Sequence, residues 1–198
     1  MVPMNETLRV TLHVIEVLEE LEIPYQVGGS FASSIHGVPR QTRDLDLVVE
    51  LPRALVPLLV ARLQDEFYLD AEAIRRALQR HSHFNLIHLT SGFKVDIFPR
   101  GPEPFDRTEF ARSAPQRLVD VPPRDVIVKS PEDTILRKLQ WYRLGGETSD
   151  RQWNDILGVV QTQGERLDLG YLHQWAEELE VRDLLERALG RGAGLDDA

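Results

Sequence analysis

Three aspartates stand where β-strand physics leaves little room for them. Asp96 sits inside the apolar run Lys94-Val95-Asp96-Ile97-Phe98, and Asp44 and Asp46 flank Leu45 at the start of a β-branched, apolar stretch that continues to Leu51. A carboxylate amid apolar strand residues is costly to bury unless it is paired, hydrogen-bonded or bound to a cation. The two-residue period of a strand puts Asp44 and Asp46 on one face, about 6–7 Å apart, where they can bracket divalent ions. Taken alone, Asp-Leu-Asp reads first as an edge strand with solvated acids, and Asp96 has a hydrogen-bonded core residue as its lesser alternative. The surrounding chain has to decide between these.

Upstream, Leu8, Leu12, Ile15, Leu18 and Leu21 recur at helical spacing and predict an opening amphipathic helix that ends near Pro24. Tyr25 to Val27 then reads as a short strand broken by Gly28-Gly29, with Ser30 able to cap a short helix from Phe31 to His36. After the strand at Leu45, Pro52 opens an apolar helix to about Leu63, and another helix covers Ala71 to Gln79. Phe84 to Leu89 and Phe93 to Phe98, joined by Thr90-Ser91-Gly92, predict a hairpin. The stretch from Arg100 to Pro123 holds five prolines and predicts an irregular connection with one short strand at Arg117 to Val121. Beyond it, Ser130-Pro131-Glu132-Asp133 is a strong helix start, and helices follow at about 131–144, 150–163, 169–179 and 182–189. The expected fold class is α/β (α+β): a small mixed sheet flanked by helices over 1–123 and a helical C-terminal region over 124–198 packing on it.

Composition narrows the function. No apolar run approaches the ~20 residues of a membrane span, and no secretory signal pattern opens the chain. The absence of cysteine excludes disulfide and thiolate chemistry and suits a cytoplasmic protein. A formal charge of −9 excludes coating of nucleic acid by bulk electrostatics and leaves only a local RNA contact. Only three of the 23 basic residues are lysines, Lys94, Lys129 and Lys138, so a lysine is the informative cation here.

The glycines supply what the aspartates need. Val27-Gly28-Gly29-Ser30 closes a predicted strand ahead of Asp44, and glycines let backbone N–H groups approach a phosphate closely at a helix N-terminus. A lone Gly-Gly-Ser is an ordinary turn; its weight comes from the Asp-x-Asp and third aspartate downstream. Together these residues resemble the signature of nucleotidyltransferases of the DNA polymerase beta type. Within that superfamily, Thr42 to Asp46, Ser130 to Asp133, Lys138 and Arg151 to Asp155 look like the abortive-infection type IV toxin-like (AbiEii) nucleotidyltransferases and their bacterial relatives. The resemblance implies transfer of a nucleoside monophosphate from an NTP to an acceptor hydroxyl, on a tRNA end, a protein or a small molecule such as an aminoglycoside. It implies a toxin–antitoxin or phage-defence setting with a cognate toxin or antitoxin as partner. It also implies two Mg²⁺ ions on Asp44, Asp46 and Asp96, with Asp96 as general base, and an NTP held by Gly28, Gly29, Ser30, Arg43 and Lys138. A rival reading is a catalytically weak, nucleotide-binding, antitoxin-like or regulatory module.

Other residues stay open on sequence grounds. Lys138 either touches phosphate or snorkels on a helix surface. Arg151 and Asp155, at i and i+4, form either a surface ion pair or a substrate-side pair. Arg40 and Arg43 neutralise phosphate, bind an acceptor or form structural salt bridges. His81 and His83 lack a third ligand of matching spacing and read as polar surface or cleft residues, and Trp141, Trp153 and Trp175 as core.

Overall fold

Asp44 and Asp46 alternate with Leu45 and Leu47 in a strand over 44–49 that has one buried and one half-exposed face, and the sheet is built around it. The computed structural model describes residues 6–42, 44–120 and 122–192. The chain divides into two compact units, one of Met1–Val27 and Thr42–Val128, the other of Gly28–Gln41 and Lys129–Ala198.

The first unit carries α1 (Glu6–Glu20), β1 (Tyr25–Val27), β2 (Asp44–Val49), α3 (Val56–Leu63), β3 (Phe67–Tyr68), α4 (Ala71–Arg80), β4 (Phe84–His88), β5 (Lys94–Pro99), α5 (Pro104–Ala111), β6 (Ala114–Asp120) and β7 (Pro123–Val128). Its seven strands form one mixed sheet in the order β3-β4-β5-β2-β1-β7-β6, with β2 parallel to β5 and β1 parallel to β7. Leu45, Leu47 and Val49 of β2, Val95 and Ile97 of β5, and Phe84 and Leu86 of β4 share the buried face. The stacked pair α1 and α3, with α4 beside them, contributes Val14, Ile15, Leu59, Leu63 and Ile74 to the buried core of the unit.

The second unit is helical: α2 (Gly29–His36), α6 (Pro131–Leu144), α7 (Asp150–Gln163), α8 (Leu169–Glu178) and α9 (Arg182–Gly192). The Ser130 hydroxyl caps α6 by accepting from the Asp133 N–H, and Ser149 and Asp168 cap α7 and α8 in the same way. Buried Ile135, Leu136, Leu139, Ile156, Val159, Leu172, Leu184 and Leu185 make its core.

Several expectations are corrected. The proline-rich stretch after Arg100 is ordered: Pro104 takes the first position of α5, and a capping box between Glu103 and Asp106 fixes that helix's start. It is followed by the β6–β7 hairpin, of which only part of β6 was expected, and Val121 of that expected strand lies outside the described residues. The two-residue strand β3 is too short to leave a period in the sequence. Trp153 and Trp175 are buried, but Trp141 is 52% exposed, because the buried stripe of α6 runs through Ile135, Leu139 and Tyr142. The compact units divide after Val128, and residues 28–41 fall in the helical unit. No helix among the described residues is long and apolar enough to cross a membrane.

Candidate active site

On the sheet, register decides what the three aspartates can do. In the parallel pair β2–β5, Asp46 stands opposite Asp96 and Asp44 opposite Lys94, so all four side chains emerge on the same face. Leu45, Leu47, Val95 and Ile97, alternating with them, anchor both strands in the core and hold that register. Asp44 and Asp46 are half-exposed, whereas Asp96 is buried, 7% exposed. The Lys94 ammonium donates to Asp96 Oδ2 at 2.6 Å. That hydrogen bond, and then the charges of Asp96, Asp44 and Asp46, raise the lysine's pKa against its partial desolvation. All three carboxylates therefore act on one cationic position. Three hard oxygen donors suit Mg²⁺, which takes one or two carboxylates and keeps several waters. Among the described residues no three His, Cys, Asp or Glu side chains are drawn together as tightly as a bound ion would hold them. The donor set fits a divalent cation, with Lys94 as the charge that now faces it.

The second cluster lies in the helical unit. Gly29 adopts a left-handed φ of 53°, a conformation that favours glycine, at the first position of α2. Ser30 is not the cap expected of it: Gly28 occupies that position, and the nearly buried Ser30 hydroxyl turns to two arginines instead. It accepts from Arg40 Nη2 at 2.7 Å and from Arg151 Nη2 at 3.4 Å. Arg40 also grips Asp155 with both prongs of its guanidinium, Nε to Oδ1 and Nη2 to Oδ2, each at 2.7 Å. Lys138 Nζ completes the set at 2.8 Å from Asp155 Oδ2, with the two side chains 10% and 9% exposed.

Burial alone would push the Asp155 carboxyl up, but the hydrogen bonds and charges of Lys138 and Arg40 outweigh it and hold the group below the ordinary carboxylate range. The pairing of Arg151 with Asp155 at i and i+4 does not form; Asp155 is paired across elements, to Arg40 and Lys138. Gly37 permits this approach of α2 to α7. A Cβ on Gly37 would stand 2.7 Å from the Val159 backbone nitrogen, and one on Gly158 would touch Val38 at 3.4 Å. His36 adds an anchor, with Nε2 donating to the Lys129 carbonyl at 2.7 Å; burial lowers its pKa, so it is held neutral.

The predicted residues thus fall into two sets. Asp44, Asp46 and Asp96 gather on the sheet; Gly28, Gly29, Ser30, Lys138, Arg151 and Asp155 gather in the helical unit; Arg43 lies outside the described residues. Two contributors were missed. Lys94 was noted only as a rare lysine, although its two-residue offset from Asp96 places it on the same strand face. Arg40 stays open on sequence grounds because its partner, 115 positions away, leaves no trace in sequence.

No protein-family model and no curated protein matches the chain. Among solved structures, it is similar to an antigenic nucleotidyltransferase-like protein from Paracoccidioides brasiliensis, with a TM-score of 0.53, 18% identity and coverage of 90% of each chain. It also aligns with the lincosamide antibiotic adenylyltransferase LnuA in a lincomycin-bound structure, at TM-score 0.48, 15% identity, 79% of this chain and 96% of that one. A third alignment is with the antibiotic-resistance factor ANT(2'')-Ia, at TM-score 0.47, 16% identity, 95% of this chain and 94% of that one. At 18% identity, the first of these likenesses shows a shared architecture: the chain has the α/β fold of a nucleotidyltransferase-like protein.

Proposed function

We propose that the chain is a magnesium-dependent nucleotidyltransferase that moves a nucleoside monophosphate from an NTP to an acceptor hydroxyl. The observation that carries this is the register of β2 on β5, which aligns Asp44, Asp46 and Asp96 on one sheet face and turns all three charges on the Lys94 ammonium. The shared fold of the nucleotidyltransferase-like protein supports it. In this reading Asp44, Asp46 and Asp96 hold the metal ions. Bound Mg²⁺ would acidify the acceptor hydroxyl and offset the negative charge of the leaving pyrophosphate.

Asp96, the most buried of the three, accepts the proton of the acceptor hydroxyl. The hydroxyl oxygen bonds to the α-phosphorus, the bond from that phosphorus to the bridging oxygen breaks, and pyrophosphate departs with the electron pair. Gly28 and Gly29 stand at the N-terminus of α2, where helix N–H groups lack intrahelical acceptors, and in this reading they meet phosphate oxygens with the Ser30 hydroxyl beside them. Lys138 and Arg151 supply positive charge to the same phosphates, as Arg43 does in the family resemblance. A tRNA end or a protein as acceptor, and a toxin–antitoxin or phage-defence setting with a cognate partner, rest on the subgroup motifs alone, namely Thr42 to Asp46, Ser130 to Asp133, Lys138 and Arg151 to Asp155.

The test is calorimetric titration with each of the four NTPs, with and without Mg²⁺, of wild type and the Asp44→Asn/Asp46→Asn variant. Binding that requires both Mg²⁺ and the aspartates is the expected result, followed by transfer of labelled NMP. Absence of binding to every NTP overturns the reading in favour of a regulatory module that has kept the fold.

A further inference from the structure

Between α4 and the β3–β4 edge of the sheet lies a groove of about 390 Å³ that the carboxylate chemistry leaves unused. Register fixes where it opens. Tyr68 is paired with Ile87, Ile87 with Lys94, and Lys94 with Asp44; in the next row, Asn85 is paired with Asp96 and Asp96 with Asp46. Register partners share a face, so Tyr68, Ile87 and Asn85 continue the carboxylate face toward the sheet edge. Asn85 stands one strand, about 5 Å, from Asp96.

The other wall is α4. Its small residues Ala73 and Ala77 leave space, and Arg76 and Arg80, spaced i and i+4, line it on either side. Among the described residues Arg80 has no ion-pair partner, and Arg76 reaches only Asp70 at a long 3.8 Å; Glu72 is taken by Arg75. Two under-compensated guanidinium groups in a chain of formal charge −9 mark a place for an anion. Across from them, Tyr68 is 67% exposed and Ile87 38%, a ring and an aliphatic surface left bare at the edge. Aromatic surface next to arginine is the chemistry that receives a base and its phosphate.

We propose that this groove binds a nucleotide unit and serves as the acceptor subsite. The base lies on Tyr68 beside Ile87, the phosphate is held by Arg76 and Arg80, and Asn85 directs a ribose hydroxyl to Asp96. The volume suits one nucleotide rather than a protein surface. The role as acceptor rests on the nucleotidyl-transfer reading; the binding itself does not. A free mononucleotide and the terminal nucleotide of an RNA strand present the same chemistry.

The experiment is titration without Mg²⁺ of adenosine 5′-monophosphate, a short single-stranded RNA and adenosine into wild type, Arg76→Ala/Arg80→Ala and Tyr68→Ala. These side chains are surface-exposed, and unchanged melting temperatures will show that the variants fold. Loss of both arginines should weaken the phosphate-bearing probes at least about tenfold and leave adenosine unaffected. Tyr68→Ala should weaken every probe that binds by about five- to tenfold. Tight binding of the RNA alone identifies a strand end, and equal binding of the mononucleotide a free acceptor; either supports the groove. Equal affinity of the arginine variant and wild type, or no binding of any probe, overturns it. The Asp44→Asn/Asp46→Asn variant separates the two readings. If it and wild type bind the probe alike and neither shows Mg²⁺-dependent NTP binding, the groove stands and the transfer reading falls. Intact NTP transfer with arginine-independent probe binding gives the reverse.

Discussion

The two charged clusters are opposite in sign and in how they are balanced. On the sheet, Asp44, Asp46 and Asp96 share one ammonium, that of Lys94. In the helical unit, the single carboxylate of Asp155 collects Arg40 and Lys138, with Arg151 on the Ser30 hydroxyl that Arg40 also contacts. Among these side chains the first cluster keeps two negative charges in surplus and the second two positive. A structural salt-bridge network tends toward neutrality, because uncompensated charge near the interior is costly. The first set offers carboxylate oxygens, the donors that hard cations take, and the second guanidinium and ammonium groups, the donors that anions take.

The comparison is most exposed at Asp96. Replacing it with Asn removes charge but hardly any volume, so the variant should fold as wild type does while losing about 10²–10⁴-fold in NMP transfer. A labelled-NTP assay beside a thermal melt measures both. Full activity in the variant would mean that the negative surplus has no catalytic task, and the contrast between the clusters would lose its meaning.

Asp155→Asn attacks the opposite cluster and should act on stability first. It takes from the buried Lys138 ammonium and the Arg40 guanidinium the carboxylate that both contact, a loss on the order of 3 kcal/mol. Because the folded carboxyl is held below its ordinary range, its stabilisation is fully present above the unfolded-state pKa and is lost as the pH falls through the folded value. Urea unfolding of both proteins should therefore show a constant gap at neutral pH that closes on the acid side of the usual carboxylate range. A gap that persists unchanged into strong acid would show that Asp155 acts through packing and not through charge.

A smaller loss is expected at Gly37→Ala. The added methyl meets backbone of α7, which cannot swing aside, and overpacking of this kind costs roughly 1–3 kcal/mol. If the close approach of α2 to α7 is what lets Arg40 reach Asp155, the variant should also lose part of the acid-sensitive gap. A double variant with Asp155→Asn that is more stable than the sum of the two single effects predicts would confirm the coupling, and strict additivity would refute it.

What could be read from the sequence follows the range of the interactions involved. The four helices after Ser130 were legible to within about three residues, since Ser130 announces the first start and apolar spacing marks the others. The carboxylate face was legible because strand period and the cost of burying Asp96 are local facts. The α5 helix was not, since its prolines mask a capping box that only the Glu103–Asp106 pairing reveals. The grouping of Arg40 with Asp155, and of Gly37 with Gly158, joins residues more than a hundred positions apart and has no local signature. Asp46 opposite Asp96 is likewise a matter of strand order, which spacing along the chain does not encode.

The finest adjustment to the contrast lies at Lys94, whose ammonium lowers the negative surplus on the sheet without removing it. As the charge that a divalent ion must face, it should oppose metal binding when no nucleotide is present. Lys94→Gln is one atom shorter and keeps an N–H donor but removes the charge, and should tighten Mg²⁺ binding about three- to tenfold in calorimetric titration; screening by solvent keeps the effect small because the lysine is partly exposed. The opposite outcome has a distinct meaning. If the variant binds Mg²⁺ more weakly, the 2.6 Å hydrogen bond orients Asp96 toward the ion, and the ammonium belongs to the support of the metal site rather than to its competition.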